Sequence, residues 1–554
     1  MSNINLINGV NGQLADWSQV NWKKARKIVR NLRYRIFRAR KLGQWKQLRR
    51  LQKLLIKSRA NLLLSVRQIT QVNTGKQTAG IDKEVCNTPA KRVKLVKEWA
   101  MPTAKPTRRV YIPKSNGKKR PLGIPTVKDR VAQAIIKNAL EPEWESQFEV
   151  NSYGFRPGRS CLDAIEQCFI HLRRGVRGGH TWVLDADIQG FFDNIAHESI
   201  LEKIGSFPNA ESIKEWLKAG FIHEGILNPT ETGTPQGGVI SPLLANIGLH
   251  GLETYIKQTN PKLGIIRYAD DFVVTAKDFE SLEQVLVLIK QWLSNRGLEI
   301  SDQKTRIVSI KEGFNFLGFN LRHYQGKLLI KPQKEKVLAL CKRIGERLSQ
   351  MKASTQQEVI KALNPLLMGF ANYYRGVVSK KTFSYIGHRV CIYLYKWGLR
   401  RHPNKSKKWV KKRYFGSFRG NNWTFMCKGT GRAGKEKLYI LYDISSKPIV
   451  RHIKVKGNAS PDDPSLREYW EKRNTSNGKK YWAKGSKYER VAKQQNWKCP
   501  VCGGNLFNGE EIETHHIVPV QNGGTDDSEN LMHLHRACHK QVHSRIQIQV
   551  KGWK

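Results

Sequence analysis

Two adjacent acidic residues stand between two apolar runs in the segment Tyr268-Ala269-Asp270-Asp271. The flanking segments 264–267 and 272–274 predict a β-hairpin with both carboxylates at its tip. Adjacent carboxylates repel each other, and a bound divalent cation offsets this repulsion. Polymerases join nucleotides with Mg²⁺ ions that are held by carboxylates and substrate phosphates. Asp also favours turns for local reasons, so a plain polar turn is the alternative interpretation of these residues.

A third acid and a set of cations could complete such a site. Asp187 ends the apolar segment 181–186, where it could join Asp270 and Asp271 around two metal ions. Phe192, five residues later, is placed to lie under an incoming sugar and to exclude a 2′-hydroxyl. The glycine-rich segment 233–238 lets the backbone approach a template closely. The residues expected to bind substrate are Arg109, Lys114, Arg120, Phe192, Gln236 and Lys304.

Three of the nine cysteines lie together near the end of the chain. Cys499 and Cys502 form one half of a zinc knuckle, and Cys538 with His535 can close a tetrahedral site. A structural zinc ion would stabilise a small module that has little core of its own. His533 lies close by and is the alternative fourth ligand. The six other cysteines have no ligand spacing and indicate thiols of a reducing compartment.

Histidines lie inside the frame that these cysteines define. His515 and His516 are adjacent on a predicted strand, so their side chains point to opposite faces. His539 and His543 are one helical turn apart and face the same way. A zinc ribbon that merely binds DNA needs only its four zinc ligands, and these additional polar residues favour a nuclease instead.

The charge of the chain indicates a polyanionic partner. The 554 residues include 97 Lys and Arg against 45 Asp and Glu, a net charge of +52, and several domains are expected from the length. Nucleic acid is the first candidate and a membrane surface the weaker one. The sequence has no run of about 20 apolar residues that could span a bilayer and no secretion signal. We therefore expect a bacterial cytoplasmic protein, with an organelle as the alternative.

Changes of pattern along the chain suggest five parts. They are a basic N-terminal extension (1–70), a mixed α/β region (71–330), a helical region (331–430), a linker or DNA-binding region (431–490) and a terminal module (491–554). Basic helices over 20–66 are expected to face phosphate. The run around Trp409 interleaves aromatic residues with lysines, a pattern that favours stacking on bases or sugars. Tyr373 and Tyr374 fit a helix core and an RNA contact equally well.

The order and spacing of these motifs resemble the reverse transcriptases encoded by group II introns. The resemblance rests on Tyr153-Gly154-Phe155-Arg156-Pro157-Gly158-Arg159-Ser160, the strand that ends at Asp187, Pro235-Gln236-Gly237, the Asp270-Asp271 hairpin and Phe316-Leu317-Gly318-Phe319. It implies an α+β multidomain fold with right-hand fingers and palm (71–330) and a helical thumb and maturase domain (331–430). It further implies that Asp187, Asp270 and Asp271 are catalytic and bind two Mg²⁺, whereas Asp185 and Asp193 are peripheral.

The terminal module resembles the HNH, or ββα-metal, endonucleases. The resemblance implies a nuclease metal at His515, His539 and His543, and His516 as the catalytic base that activates water. It also implies that Asn530 has a structural role and orients His516 or its loop. His535 stands where many relatives carry a second cysteine.

Together the two resemblances imply one multifunctional enzyme. It would copy RNA into DNA, assist splicing of its intron RNA, and nick target DNA to prime the copying. The expected partners are group II intron RNA, target DNA and deoxynucleoside triphosphates, with no membrane and a possible dimer. A dedicated RNA-folding protein with vestigial catalytic domains is one alternative, and an HNH homing nuclease with an appended RNA-binding region is another.

Overall fold

The structure, a computed structural model, describes residues 14, 16–113, 117, 119–173, 179–430, 436–478, 481–482 and 485–546. Four helices come first: α1 (Trp22–Lys41), α2 (Trp45–Ile56), α3 (Arg59–Arg67) and α4 (Pro89–Lys97). In α1, Val29, Leu32 and Ile36 are buried at three- to four-residue spacing, as expected for a helix with one buried face. The Asn21 side chain accepts a hydrogen bond from the backbone N–H of Lys24 and caps the first turn.

The N-terminal helices pack against a long helix of the mixed region. After the hairpin β1 (Thr107–Pro113) and β2 (Lys119–Ile124) come α5 (Val127–Glu145) and α6 (Cys161–Leu172), and α1, α2 and α3 all contact α5. Four arginines of the first 70 residues make internal ion pairs: Arg26, Arg33, Arg49 and Arg67. The expected phosphate-facing surface is therefore restricted to the exposed lysines and arginines of these helices.

Two four-stranded sheets, in which most neighbouring strands are antiparallel, form the middle of the chain. Their elements are β3 (Trp182–Asp187), α7 (Phe191–Asn194), α8 (His197–Ile204), α9 (Ala210–Lys218), β4 (Phe221–His223), β5 (Ile226–Asn228), α10 (Ser241–Gly248), α11 (Leu252–Thr259), β6 (Gly264–Tyr268), β7 (Asp271–Ala276), α12 (Glu280–Ser294) and β8 (Arg306–Ser309). The central sheet has the order β6-β7-β3-β8, and the other has the order β2-β1-β4-β5. The strands of the central sheet are antiparallel, and the register places Asp187 of β3 opposite Asp271 of β7.

A small sheet leads into a region that is mainly helical over 334–414 and then forms three strands. The elements are β9 (Phe314–Phe316), β10 (Phe319–Tyr324), β11 (Lys327–Pro332), α13 (Lys334–Gln350), α14 (Gln356–Tyr374), α15 (Lys380–Arg401), α16 (Lys407–Tyr414), β12 (Phe415–Phe418), β13 (Asn421–Thr430) and β14 (Glu436–Ile440). The helix α14 begins with a capping box in which Thr355 and Glu358 each satisfy the backbone N–H of the other. It buries Leu363 and Leu367 on one side.

The terminal module has a ββα arrangement. Two helices lead into it, α17 (Arg467–Gly478) and α18 (Lys487–Gln494). The module contains β15 (Ile512–His516), β16 (Leu531–His535) and α19 (Arg536–Ile546). The strands β15 and β16 pair antiparallel, with His516 opposite Leu531, and α19 contacts both strands. The α+β fold class expected from the sequence is confirmed.

Within the region 431–490, expected to be a linker or DNA-binding region, residues around Asp462 and Trp470 pack against the rest of the chain. Ser460 and Asp462 are buried. Both carboxylate oxygens of Asp462 accept hydrogen bonds from Arg33, each at 2.7 Å. Trp470 is buried, and a Cβ on Gly158 would lie 2.5 Å from its ring. Polar residues here form hydrogen bonds with residues elsewhere in the chain. Composition alone does not show whether a polar residue bonds to protein or to water.

Buried apolar residues join the N-terminal helices to the terminal module. Trp22, Leu63 and Val66 belong to one hydrophobic cluster with Leu506 and Leu534. The nuclease-like module therefore shares part of its core with α1 and α3. Within the described ranges, every helix is too short or too polar to cross a bilayer.

Candidate active sites

The structure brings three carboxylates together at one end of the central sheet. Asp270 and Asp271 lie at the turn between β6 and β7, and Asp187 is the partner of Asp271 across the sheet. Ala269 has a positive φ of 59°, which turns the chain tightly before the two acids. The predicted hairpin is thus present, and its two acids lie beside the third.

The environment of Asp270 and Asp271 disfavours their charged forms. Desolvation in the cleft, together with the charges of Asp270 and Asp187, raises the pKa of Asp271 to about 7. Burial and the charge of Asp187 also raise the pKa of Asp270, against an opposing effect of Arg120 and Lys304. Lys304 donates a hydrogen bond to Oδ2 of Asp187. The three carboxylates together are a donor set that fits Mg²⁺, because this cation prefers oxygen ligands and its charge offsets their mutual repulsion.

A buried arginine that sequence reasoning missed holds the turn in place. Arg267 is 3% exposed and donates to the carbonyl of Ala269 at 3.3 Å and to Oδ1 of Asn246 at 3.1 Å. Asn246 in turn donates to the carbonyl of Gly154 at 2.8 Å. A Cβ on Gly154 would lie 2.4 Å from the backbone nitrogen of Ala269, so the turn is packed directly on residue 154. The signal in the sequence was a cationic residue in an otherwise apolar strand.

Two of the predicted substrate-binding residues, Arg120 and Lys304, lie beside the carboxylate cluster. Arg120 lies exposed on β2, near enough to lower the pKa of Asp270. Gln236 lies in the loop before α10, and its carbonyl accepts a hydrogen bond from the N–H of Gly123 in β2 at 2.8 Å. Phe192 is half-buried, with its ring 6.2 Å from that of Phe155. Lys114 lies outside the described residues.

Arg109 has a different neighbourhood from the one expected for a triphosphate ligand. Its guanidinium lies 3.7 Å from the ring centre of Phe221. Arg109 and Phe192 both line a cavity of about 370 Å³. The structure therefore places Arg109 on the Phe192 side of the β2-β1-β4-β5 sheet, within reach of a ligand in that cavity.

The two acids expected to be peripheral are close to the cluster in sequence but have their own partners. Asp185 lies two residues before Asp187 and pairs with Arg306 at 3.7 Å. Burial, opposed by Arg306, raises the pKa of Asp185 to about 6. The carbonyl of Asp193 accepts a hydrogen bond from the hydroxyl of Thr232.

Four sulfur and nitrogen ligands meet in the terminal module. The potential ligand atoms of Cys499, Cys502, His535 and Cys538 all lie within 4.8 Å of one another, and all four residues are buried. Nδ1 of His535 is 3.3 Å from Sγ of Cys502, and its Nε2 donates to the carbonyl of Asn505. That second hydrogen bond fixes the ring with Nδ1 facing the thiols, as in structural zinc sites.

His533, the alternative ligand, lies elsewhere. Its ring stacks on Trp482 with 4.2 Å between ring centres, and its Nε2 contacts the carbonyl of Tyr488 at 2.8 Å. Position along β16, and not strand alternation, explains the difference. His533 and His535 are two residues apart on the same face, but only His535 is beside the cysteines, at the end of the strand.

Three histidines form a second cluster of potential metal ligands in the terminal module. The ligand atoms of His515, His539 and His543 lie within 4.8 Å of one another. Nε2 of His539 and Nε2 of His543 are 3.0 Å apart. Burial and the two other rings lower the pKa of His515 to about 4, so its imidazole is neutral at physiological pH. Neutral imidazoles at this spacing are a donor set that fits a divalent transition metal.

Two carboxylates that sequence reasoning missed orient His539 and His516. Oε2 of Glu513 accepts from Nδ1 of His539 at 2.6 Å, which leaves Nε2 of His539 facing the cluster. Oδ1 of Asp526 accepts from Nε2 of His516 at 2.7 Å. Asn530 contacts the loop and not His516: its side chain bonds to the backbone N–H and carbonyl of Val518 and the carbonyl of Thr525.

Aromatic and basic residues alternate on the surface of the helical region. Trp409 on α16 is 37% exposed, and Lys408, Lys411 and Lys412 are exposed around it. Nζ of Lys411 lies 4.5 Å from the ring centre of Trp423. In contrast, the hydroxyls of Tyr373 and Tyr374 donate to the carbonyls of Leu317 and Gly318, so these two rings hold the turn between β9 and β10.

The chain matches four protein families in order. It matches the N-terminal domain of reverse transcriptase over residues 17–99, reverse transcriptase (RNA-dependent DNA polymerase) over 112–321, the group II intron maturase-specific domain over 337–415 and HNH endonuclease over 499–545. The carboxylate cluster lies in the second match, and both His-containing clusters lie in the fourth. Together the four matches cover most of the chain.

Individual proteins are similar to parts of this chain. Protein YkfC of Escherichia coli is 35% identical over 253 residues, which are 39% of this chain and 66% of that protein. Group II intron-encoded protein LtrA of Lactococcus lactis is 28% identical over 56% of this chain and 71% of that protein. The telomerase structure from Candida albicans aligns with 58% of this chain and 63% of its own at 14% identity and a TM-score of 0.33. The protein belongs to the group II intron-encoded proteins, with a reverse transcriptase domain, a maturase domain and an HNH endonuclease domain on one chain.

Proposed function

We propose that this chain copies RNA into DNA at Asp187, Asp270 and Asp271, assists the splicing of its own intron RNA, and nicks target DNA through its terminal module. The observation that carries the proposal is the register of β3 and β7, which sets Asp187 beside the Asp270-Asp271 turn. A plain polar turn would not require a third acid at this position. The test is RNA-templated primer extension and single-strand nicking by the same purified chain.

Metal ions would complete both sites. In the cleft, Asp187, Asp270 and Asp271 would hold two Mg²⁺, which supply charge stabilisation for the attacking and leaving oxygens. Arg267 keeps the turn that carries two of these ligands in position. Lys304 and Arg120 supply positive charge beside the carboxylates, where phosphates of an incoming nucleotide would lie. We further propose Phe192 as the residue against the sugar and Gln236 as a contact to template or nucleotide.

In the terminal module, we assign different roles to the two adjacent histidines. His515 lies in the three-histidine cluster with His539 and His543, which would hold one divalent metal. His516 points to the other face of β15, and Asp526 orients its ring so that one nitrogen can accept a proton from water. Cys499, Cys502, His535 and Cys538 would hold a structural zinc ion. The order of events follows: nicking produces a 3′-hydroxyl, and the polymerase site extends it.

The partners of these activities are proposals as well. They are group II intron RNA, target DNA and deoxynucleoside triphosphates, in a bacterial cytoplasm or an organelle, with a dimer as an open possibility for this chain. The domain boundaries proposed above place the fingers and palm in 71–330, the thumb in 331–430 and the nuclease in 491–554. A protein with vestigial catalytic domains would bind and fold RNA without making either DNA product, so the two activity assays distinguish it.

Mg²⁺ is expected to stabilise the protein more at high pH than at low pH. The pKa of Asp271 lies at about 7 in the folded chain against 3.8 in the unfolded one. Ionisation therefore lowers the free energy of unfolding of the metal-free protein as pH rises between these values. Mg²⁺ needs the ionised form and offsets this loss. We expect a larger Mg²⁺-induced rise in Tm at about pH 8 than at about pH 6. Asp271→Asn should not show this difference between the two pH values. An equal rise at both pH values would contradict this assignment.

RNA affinity is expected to fall steeply with salt, because a surface this basic releases many counterions when it binds RNA. Contacts to about 6–10 phosphates correspond to a loss of roughly 10³-fold or more between 50 and 200 mM salt. Replacing Lys408, Lys411 and Lys412 with Gln should reduce the slope of log affinity against log salt by about 2. The control replaces three exposed lysines of other helices, Lys94, Lys214 and Lys218. Equal slopes for the two triple variants would remove α16 from the RNA-binding surface.

A further inference from the structure

The four-ligand cluster of the terminal module lies directly against the N-terminal helices. Arg67, the last residue of α3, is 3% exposed, and its Nη2 is 3.0 Å from Sγ of Cys538. Its guanidinium lies 4.8 Å from the ring centre of Trp22 in α1. In the knuckle itself, a Cβ on Gly504 would lie 3.1 Å from Nη1 of Arg26. The knuckle is thus in van der Waals contact with α1 and α3.

The charges around this contact balance only when the metal site is loaded. Arg26 and Arg67 contribute two positive charges, and both contact Glu510, at 2.6 and 3.5 Å. One carboxylate neutralises one of them. Three thiolates and a neutral imidazole around Zn²⁺ carry a net charge of −1, which neutralises the other. Without the loaded site, Glu510 is the one carboxylate that pairs with these two guanidinium groups among the described residues, and burying an unpaired charge is costly.

The hydrogen bonds of Arg67 agree with this interpretation. Its Nη1 is buried and has no hydrogen-bond partner among the described residues, so Nη2 makes the contacts to Cys538 and Glu510. Because Arg67 has few neutral hydrogen-bond acceptors, attraction between opposite charges holds its side chain in place.

We infer that Arg67, with Arg26, is the charge partner of the loaded zinc site, so that zinc binding and docking of the nuclease module onto the reverse transcriptase are one linked equilibrium. This inference rests on the zinc assignment proposed above. It makes Arg67 a positioning residue for the nuclease, acting through Cys538 from a different domain. Loss of zinc would release the module from α1 and α3 as well as unfold the knuckle.

The first test measures zinc release from the full-length protein to a chromogenic chelator. Arg67→Gln should release zinc about tenfold faster than wild type, since loss of a partner of a metal ligand typically costs 10- to 100-fold in affinity. Arg92→Gln is the matched control. Arg92 is 7% exposed in α4, and it bonds to Thr70 and the carbonyl of Asn87 and not to the cluster. Arg26→Gln, at a more exposed site, should show a smaller acceleration and carries the test if Arg67→Gln does not fold.

The second test measures hydrogen exchange in the wild-type chain before and after chelation of zinc. Amides of α3 and of the first turns of α1 should lose protection on chelation, whereas amides of α14 should not change. A wild-type chain that binds no zinc would overturn both the zinc assignment and this inference. Bound zinc with equal release rates in Arg67→Gln and Arg92→Gln, or α3 protection that is indifferent to chelation, would overturn this inference alone.

Discussion

Replacing Asp270 and Asp271 together with Asn is expected to lower the rate of Mg²⁺-dependent primer extension by roughly 10³-fold or more. The two carboxylates would supply most of the protein ligands to the metal ions, and those ions stabilise the charge that develops on the attacking and leaving oxygens. Asn keeps the shape of the side chain, so the hairpin of β6 and β7 should form as before. RNA binding, which depends on other surfaces, should be unchanged.

A neighbouring carboxylate supplies the control for this variant. Asp302 is exposed on the loop before β8, and it pairs with Lys290 at 3.1 Å. Asp302→Asn removes one negative charge close to Lys304 without touching the cluster, and it should extend primers at the wild-type rate. Extension by the Asp270/Asp271 double variant at more than about a tenth of the wild-type rate would show that the metal ligands lie elsewhere.

Replacing His516 with Ala is expected to lower the rate of DNA nicking by about 10²- to 10⁴-fold, which is the usual contribution of a general base. Polymerase activity should be unchanged, because His516 lies on β15 and contacts Asp526 in the terminal module. Strand-specific nicking of a labelled duplex and primer extension are measured on the same preparation. Asp526→Asn should keep part of the nicking activity and shift its pH profile, because Asp526 acts through His516.

A residue in the adjacent loop separates this effect from a general loss of structure. Gln521 is exposed in the turn after Val520, and Gln521→Ala should nick at the wild-type rate. Bound zinc in His516→Ala should equal that in wild type, because His516 is not one of the four proposed zinc ligands. Nicking by His516→Ala at the wild-type rate would move the base to another residue.

The parts of both sites that lie in short segments were predictable from the sequence. Apolar runs on both sides of Asp270 and Asp271 predicted the hairpin, and Cys499 and Cys502 are close enough in the chain to reveal a metal knuckle. His515 and His516 fall on one strand, so the split between their faces followed from strand geometry alone. These features depend on local spacing, which the sequence displays directly.

Residues that act across long sequence separations were not predictable. Arg67 and Cys538 are 471 positions apart and meet only because α3 packs against the terminal module. Glu513 and Asp526 are ordinary acidic residues until β15 and the following loop bring them to His539 and His516. The prediction of a linker within 431–490 was wrong for the same reason. Asp462 accepts a hydrogen bond from Arg33, which lies 429 positions away in the chain.

The most direct measurement is primer extension on an RNA template by the purified wild-type chain with Mg²⁺. The arrangement of Asp187, Asp270 and Asp271 predicts a DNA product that depends on the RNA template, on Mg²⁺ and on all four deoxynucleoside triphosphates, and that disappears in the Asp270/Asp271 double variant. RNA binding measured on the same preparation shows that the protein is folded and competent. RNA binding without any templated DNA product would contradict the assignment of this cleft as a polymerase active site.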